Sequence, residues 1–431
     1  MSRGFRAALG LALLLQAVLL FMELRPQPRP LWGDEIMYAD LAARWSRGEP
    51  ATLDLLWPPL YPHLLSWAIA VDGGLLGMRL LQAACLFAAA FLWRDLARTF
   101  TGSAWVADAA AALLLLDPQV AGFGPFLWPE ALHLALFAAA VWILVNRAGR
   151  PPFLALAGAL LGACLLAKSV LGPFLPVLLF PLVWEAGWRK GALRAGLVAL
   201  VCALVALPVM ASNARRHGAF VIADGARFNT WVGLNDVARR NFVDEIVGRE
   251  YRRWQESAPT FRERERLLDA RIRALLAERG LWSVARAQLG RQYFRLFHHE
   301  SFFTDQLPGG AIAAQGRGYR GVAPGVAAAF RAYNALVWAV VLCGAGLGLA
   351  ALPRERRAFV WMLLAFVAYN LAIFFVLHVK TRYRLPFLPV LDLLAAAGIA
   401  ALLGRGRPLG PLPQRIAGGA VAALALALAF L

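Results

Sequence analysis

The stretch "LWGDEIMYADLAARWSRGEP", residues 31–50, places two adjacent carboxylates where an apolar sequence gives way to a polar one. Asp34 and Glu35 follow the apolar run of residues 7–23, which is long enough to cross a bilayer. Ionisable side chains at a membrane boundary are costly unless they are hydrated or paired, so the pair is a candidate functional site. The alternative is a solvated acidic pair that only marks the end of the first helix.

The composition around this stretch is that of an integral membrane protein. The chain has 431 residues, of which 60% are hydrophobic and only 16% charged, whereas roughly a quarter of a soluble domain is charged. We expect an all-α, polytopic fold with about eleven transmembrane helices and a retained first span rather than a cleaved signal peptide. The predicted spans are residues 7–23, 75–96, 103–120, 128–146, 153–168, 170–186, 193–211, 328–352, 357–378, 385–403 and 414–431. Lys168, Gly172 and Pro173 predict a tight turn between the fifth and sixth spans.

Basic residues orient these spans. With the N-terminus inside, every inner connection carries arginine or lysine, as the positive-inside rule requires, and this also explains the net charge of +18 without nucleic acid. Residues 24–74 and 212–327 then lie outside, which in a bacterium is the periplasm. We therefore expect an N-terminal membrane module (1–211, with the first outer loop at 24–74), an outer interfacial segment (212–327) and C-terminal membrane helices (328–431).

The outer segment predicts helices that lie along the membrane surface. "RERERLLDARIRALLAERG", residues 262–280, has apolar side chains at helical spacing, and "WSVARAQLGRQYFRLFHHESFF", residues 282–303, is basic and aromatic. The four cysteines lie in apolar runs without metal-ligand spacing, which indicates ordinary packing.

Two further motifs belong to the outer side. "LLWPPLYPHLLSW", residues 55–67, surrounds Tyr61 and His63 with prolines. "FGPFLWPEALHLAL", residues 123–136, places Glu130 and His133 about one turn apart on one helix face. That pair is either a hydrogen-bonded polar patch or two ligands of a divalent cation.

Cations also occur on the outer side, where the positive-inside rule leaves few. "HVKTRYRLPFLP", residues 378–389, supplies Lys380, Arg382 and Arg384, and Lys168 is a fourth. These side chains either extend to bulk lipid phosphates or hold the phosphate of a lipid carrier. In the second case a carboxylate nearby could take a proton from an attacking hydroxyl or amine.

These motifs, taken in order, resemble those of the GT-C membrane glycosyltransferases, such as the protein O-mannosyltransferases and the lipid A aminoarabinose transferases. The resemblance covers most of residues 1–400 and rests on "GDEIMYADLA", "WPPLYPHLL", "LWPEAL", "LLAKS", "SNARRHGAFVIADGARFNTWVGLND" and "KTRYRLPFLPVLDLLAAAGIA". Pro129 stands where the family has a hydroxyl residue, and "SNARR" lacks the family's Trp-x-x-Arg-Asn form.

The resemblance implies a GT-C fold and transfer of a sugar from a polyprenyl-phosphate donor to a lipid, glycan or protein acceptor at the periplasmic face of the inner membrane. It implies Asp34 as the catalytic carboxylate, with Glu35 supporting it. The implied substrate-binding residues are Tyr61, His63, Glu130, Lys168, Lys380, Arg382, Tyr383 and Arg384, of which the four cations are candidate phosphate ligands. No metal ligand is assigned, although a divalent cation is compatible with the chemistry.

Two other classes fit a polytopic chain. A transporter or flippase for a lipid-linked saccharide predicts ionisable residues near the bilayer centre, whereas the charged motifs here cluster at the outer boundary. A non-catalytic assembly subunit would tolerate the loss of Asp34.

Overall fold

The computed structural model describes residues 1–49, 53–71, 74–236, 244–352 and 356–430, and within them the chain is helical without a strand. Residues 50–52 and 72–73 of the predicted first outer loop, residues 237–243 of the predicted outer segment and Leu431 of the last predicted span lie outside the described residues. The three-part division of the chain remains a prediction.

The N-terminal half consists of ten α-helices and one 3-10 helix in the described ranges. They are α1 (Arg3–Glu23), α2 (Asp34–Ser46), α3 (Leu60–Ala70), α4 (Gly74–Thr101), α5 (Ala104–Leu116), α6 (Pro118–Gly122), α7 (Glu130–Asn146), α8 (Pro151–Ala167), the 3-10 helix Ser169–Phe174, α9 (Leu175–Ala186) and α10 (Trp188–His217).

Eight polar or short helical elements follow α10 among the described residues, and then four apolar helices. The first group is α11 (Ala226–Asn235), α12 (Asp244–Glu256), α13 (Phe261–Arg279), α14 (Leu281–Gln288), a π-helix (Leu289–Tyr293), α15 (Phe294–Phe297), α16 (Phe302–Asp305) and α17 (Ala311–Ala314). The apolar helices are α18 (Pro324–Leu349), α19 (Arg357–Val376), the 3-10 helix Thr381–Phe387 continuing into α20 (Leu388–Leu402), and α21 (Leu412–Phe430).

The predicted spans are confirmed. Eight stretches of helix among the described residues are long and apolar enough to cross a membrane, and α5, α7 and α8 are shorter apolar helices. Together they coincide with the eleven predicted segments, so the chain is a multi-pass membrane protein. The predicted tight turn after α8 is a single extended residue, Lys168, after which the 3-10 helix begins at once.

The order of the spans places their ends on two faces. Because successive spans run in opposite directions, the ends of α1 and α8 share one face with the starts of α7 and α20. We call this the Asp34 face, since α2 follows α1 there. The ends of α18 and α20 and the starts of α19 and α21 lie on the other side, the opposite face.

Close helix packing fixes the span that begins at Thr381. Of its apolar stretch 83% is buried, more than for any other candidate span in the described ranges. A Cβ at Gly348 of α18 would collide with the backbone of Leu394, and one at Gly398 of α20 would collide with Gly344. Small residues let the two backbones approach closely, as in other membrane helix pairs. The side chains at the start of this span are therefore held on a rigid support.

Helix α2 begins directly at the acidic pair. Gly33 precedes it with φ of +60°, a conformation that a side chain would strain. Asp34 and Glu35 then occupy the first turn, where the helix dipole favours negative charge.

The amphipathic helix of the outer segment is present as α13. Thr260 and Glu263 form a capping box at its start. Phe261, Leu268 and Leu275 are buried on one stripe, while Leu267 is exposed. The basic aromatic run that follows is helical without a break over residues 281–297, where α14, the π-helix and α15 directly succeed one another.

Candidate functional site

Asp34 and Arg382 meet although 348 residues separate them in the sequence. Asp34 Oδ2 accepts a hydrogen bond of 2.5 Å from Arg382 Nη2. The Asp34 side chain retains 31% exposure and that of Arg382 only 11%. The pair thus joins the first turn of α2 to the 3-10 helix before α20, with the carboxylate on the accessible side.

A second ion pair adjoins the first. Lys168 Nζ lies 3.1 Å from Glu130 Oε1, and the same carboxylate oxygen lies 3.7 Å from Arg382 Nε. Glu130 stands at the start of α7 and Lys168 directly after α8. Four predicted residues from four distant segments therefore form one continuous cluster.

Aromatic rings surround the cations of this cluster. The Arg382 guanidinium lies 4.6 Å from the Trp128 ring centre and 5.3 Å from that of Tyr383. Lys168 Nζ is 5.3 Å from the Tyr383 ring, and Lys380 Nζ is 5.4 Å from the Trp32 ring. Contacts of this kind stabilise cations in partly dry surroundings.

The positive charges keep Asp34 ionised. Burial opposes ionisation, but the charges of Arg382, Lys380 and Lys168 outweigh it, so the pKa of the Asp34 carboxyl lies below its ordinary value. Burial, together with the Asp34 and Glu130 carboxylates, raises the pKa of the Tyr38 hydroxyl well above its ordinary value. Tyr38 therefore remains a protonated neighbour of the cluster.

Some polar atoms in the cluster and beside it have no hydrogen-bond partner within the described residues. They are Trp128 Nε1, Glu130 Oε2, His133 Nε2 and Arg382 Nε, and all are buried. Buried polar groups are normally satisfied, so these four are candidates for contact with a bound ligand.

Glu35 belongs to a different network from Asp34. Its side chain is fully buried and binds Arg29 through both oxygens, at 2.6 and 2.7 Å. It also accepts hydrogen bonds from the backbone N–H groups of Trp32 and Leu127. Since all these bonds come from the protein, the geometry favours a supporting role over direct contact with substrate.

This network of ion pairs extends to the membrane helices α1 and α4. Arg29 also binds Glu23 at 2.7 Å, and Glu23 binds Arg79 at 2.7 Å. Sequence reasoning did not find Glu23, Arg29 or Arg79, because each is a single charge whose partner lies elsewhere in the chain.

Arg384 does not join the cluster. It is buried, donates to the carbonyl of His298 at 2.7 Å, and its guanidinium lies 4.0 Å from the Trp338 ring centre. Alternate residues of the 3-10 helix point in different directions, so Arg382 and Arg384 do not share the cluster. The structure places Arg384 against Trp338 and the His298 carbonyl, and its role as a phosphate ligand stays a prediction.

Tyr61 and His63 also lie apart from the ion pairs. The buried Tyr61 hydroxyl donates to Gln82 Oε1 at 2.5 Å, and its ring packs against Tyr38. The exposed His63 stacks on Trp45, with ring centres 4.3 Å apart. Tyr61 thus packs against α2 through Tyr38, and His63 lies at the surface.

In the described ranges no group of three or more His, Cys, Asp or Glu side chains is arranged to hold a metal ion. Arg382 and Lys168 supply the positive charges opposite Asp34 and Glu130. A divalent cation stays a prediction.

A cavity of about 340 Å³ opens beside α2, beyond the cluster. Met37, Asp40 and Arg44 of α2 line it on one side, and Trp57 and Tyr251 are among its aromatic walls. It lies between α2 and the outer segment.

No protein-family model and no curated protein matches the sequence. Among solved structures, the fold is similar to the archaeal oligosaccharyltransferase AglB from Archaeoglobus fulgidus, in complex with an inhibitory peptide and a dolichol-phosphate. The TM-score is 0.52 at 14% identity, over 98% of this chain and 54% of that one. The apo form of the same enzyme gives 0.52 at 15% identity, over 98% and 55%.

The chain therefore spans about half the length of the oligosaccharyltransferase that it matches. The aminoarabinose transferase ArnT from Cupriavidus metallidurans, bound to undecaprenyl phosphate, is a further match with a TM-score of 0.42 at 16% identity, over 94% of this chain and 80% of that one. The chain has the fold of the GT-C membrane glycosyltransferases, as the resemblance of its motifs predicted.

Proposed function

We propose that the chain transfers a sugar from a polyprenyl-phosphate donor to a lipid, glycan or protein acceptor. The reaction takes place on the Asp34 face, which the basic loops of the sequence orient toward the periplasm of a bacterial inner membrane. The observation that carries the proposal is the cluster of Asp34, Glu130, Lys168 and Arg382 at the ends of their helices.

The cations of the cluster suit a phosphate leaving group. Arg382 and Lys168 lie within one ion-pair network, and Lys380 is close enough to influence Asp34. Arginine offers a bidentate fork to phosphate oxygens, and lysine offers a point charge. The dolichol-phosphate of the archaeal oligosaccharyltransferase complex is a ligand of this same chemical class.

Asp34 is the proposed base. The acceptor oxygen or nitrogen bonds to the anomeric carbon, its proton passes to the Asp34 carboxylate, and the bond from that carbon to the phosphate oxygen breaks. The electron pair stays on the departing polyprenyl phosphate, where Arg382, Lys168 and Lys380 stabilise the charge.

The ion pair between Asp34 and Arg382 links donor binding to base strength. While Arg382 holds Asp34, the carboxylate is a weak base because its pKa is lowered. A donor phosphate that binds Arg382 competes with Asp34 for the same N–H groups. The carboxylate then regains basicity when the donor is in place.

A single displacement fits this arrangement best. A retaining reaction needs a second carboxylate as nucleophile. Glu35 is buried with both oxygens bound, and the Glu130 side chain is only 2% exposed, whereas that of Asp34 is 31% exposed. We therefore expect inversion at the anomeric carbon.

The cavity beside α2 is the proposed location of the acceptor. It starts about one turn beyond Asp34, at Met37, and its carboxylates and aromatic rings can bind sugar hydroxyls and sugar faces. Substitutions such as Trp57→Ala would then raise the acceptor KM rather than the donor KM.

The full chain in lipid nanodiscs, incubated with polyprenyl-phosphate sugars radiolabelled in the sugar and with an envelope lipid and glycan extract, tests the proposal. We expect one labelled sugar to pass into the extract and free polyprenyl phosphate to appear in equal amount. If hexose, aminopentose and N-acetylhexosamine donors all stay intact while the chain is folded, the proposal is wrong. If the intact labelled donor, with its sugar still attached to the polyprenyl phosphate, crosses the bilayer, the chain is a flippase instead.

A further inference from the structure

A second, larger cavity lies on the opposite face, remote from the cluster of Asp34 and Arg382. Its volume is about 850 Å³, and it is lined by the end of α18, the start of α19, residues 407–411 and the start of α21. Since α20 begins near Arg382 and ends close to this cavity, the length of a membrane span separates the two sites.

Three arginines line this cavity, and among the described residues no carboxylate does. They are Arg357, Arg407 and Arg415. Arg407 donates to the carbonyl of Leu352 at 2.9 Å, and Arg415 donates to that of Gly410 at 2.7 Å. These bonds orient the guanidinium groups without neutralising them, and each guanidinium has five N–H donors.

No ion pair joins these three arginines to a carboxylate within the described ranges. The acid of neighbouring α9, Glu185, lies 2.6 Å from Arg356 and is therefore already paired. The cavity thus presents a concentrated positive charge at the end of the membrane helices.

Large apolar side chains continue outward from the cavity. Trp361 lines it and is 62% exposed, and Leu412 and Ile416 of α21 are 67% and 63% exposed. A ligand that fits here has an anionic head for the arginines and an apolar tail for these residues. A free phosphate ion would leave most of the volume and all of the apolar surface unused.

We infer that this cavity binds the phosphodiester headgroup of an anionic membrane lipid, with the acyl chains along Trp361 and α21. Zwitterionic lipids share the phosphodiester, but their ammonium group would meet three arginines and no carboxylate from the described part of the lining. Basic pockets between membrane helices are a known means of holding anionic headgroups. This site is separate from the proposed donor site and does not depend on the proposed reaction.

The test uses the purified full chain in an uncharged detergent, titrated with dioctanoyl phosphatidylglycerol while native mass spectrometry counts bound lipid. Arg357→Gln is the principal variant, because its side chain forms no hydrogen bond or ion pair with the described residues. Arg407→Gln is the second. We expect each to weaken binding by about tenfold, the size of a charge-assisted contact.

Arg405→Gln is the matched control, since Arg405 is exposed nearby and does not line the cavity. It should bind like the wild type. Equal losses in Arg405→Gln and Arg357→Gln would overturn the site in favour of a general attraction to basic loops. Equal binding of dioctanoyl phosphatidylcholine would overturn the choice of an anionic lipid, and displacement of the lipid by millimolar inorganic phosphate would identify a free-anion site.

Discussion

At the scale of single residues, Arg382 and Arg384 have different surroundings that the sequence could not distinguish. Both are outer-face arginines in "KTRYRLPF", and sequence reasoning assigned both to the donor phosphate. In the structure Arg382 contacts Asp34, whereas Arg384 lies against Trp338 and the carbonyl of His298. The direction of each side chain depends on the 3-10 helix, which the motif alone does not predict.

We predict that Arg382→Gln raises the donor KM by roughly ten- to a hundredfold, because one charge-assisted contact of about 1.5–3 kcal/mol is lost. Arg384→Gln should lower the stability and leave the donor KM of the folded fraction unchanged. The measurement is donor KM beside acceptor KM for both variants. An unchanged donor KM in Arg382→Gln would remove this residue from the phosphate site.

Glu35 and Asp34 are neighbours in the sequence but, like Arg382 and Arg384, they have different surroundings in the structure. Because Glu35 holds Arg29 in a fully buried pair, Glu35→Gln should cost about 3 kcal/mol of unfolding free energy. The folded fraction should keep a measurable turnover. Denaturation in detergent measures the unfolding free energy, with the exposed Glu49→Gln as control. Single-turnover sugar transfer measures the activity of the folded fraction. A stable but inactive Glu35→Gln would instead place Glu35 at the reaction.

At the scale of elements, hydrophobic length and basic loops were sufficient to predict the spans, because bilayer thickness constrains each span independently. The ends of the spans were harder to predict. For example, α10 continues to His217, beyond the predicted end at residue 211. The candidate site was predictable only as a set of outer-face residues. Which of them meet depends on packing between segments, such as the approach of α18 and α20 at Gly348.

In the outer segment, Glu265 of α13 gives a pH dependence that can be measured. Burial, and then the charge of Asp224, raise the pKa of Glu265 to about 7. Between its ordinary pKa and this value the folded segment binds a proton that the unfolded one lacks. The stabilisation is therefore complete at low pH and is lost as the pH rises through about 7.

We expect Glu265→Gln to remove this pH dependence and to make the segment more stable than the wild type at pH values above that of the raised pKa. The exposed Glu278→Gln on the same helix should change nothing. Hydrogen exchange of the α13 amides, measured on the acid and alkaline sides of neutrality and corrected for intrinsic rates, gives the stability of the segment in both variants. A parallel loss of protection in Glu265→Gln and wild type would show that another group titrates.

At the scale of the whole molecule, the eleven spans place the cluster and the three-arginine cavity on opposite faces. The orientation of these faces in the cell comes from the basic loops alone. We predict that Glu256→Cys reacts with a membrane-impermeant thiol reagent in intact spheroplasts, whereas Arg405→Cys reacts only after lysis. The parent chain gives the background from its own cysteines. The reverse pattern would invert the topology and with it the periplasmic assignment.

The most direct measurement is complementation of a deletion strain, followed by mass spectrometry of its envelope lipids and glycans. The deletion should remove one sugar from one envelope component. The wild type and Glu49→Gln should restore it, because Glu49 lies on the surface of the chain and pairs with Arg44 and Arg47. Asp34→Asn, present in the membrane at the same level, should not restore it, because the variant lacks the carboxylate proposed as the base. Restoration of the sugar by Asp34→Asn would contradict the assignment of Asp34 as the catalytic carboxylate.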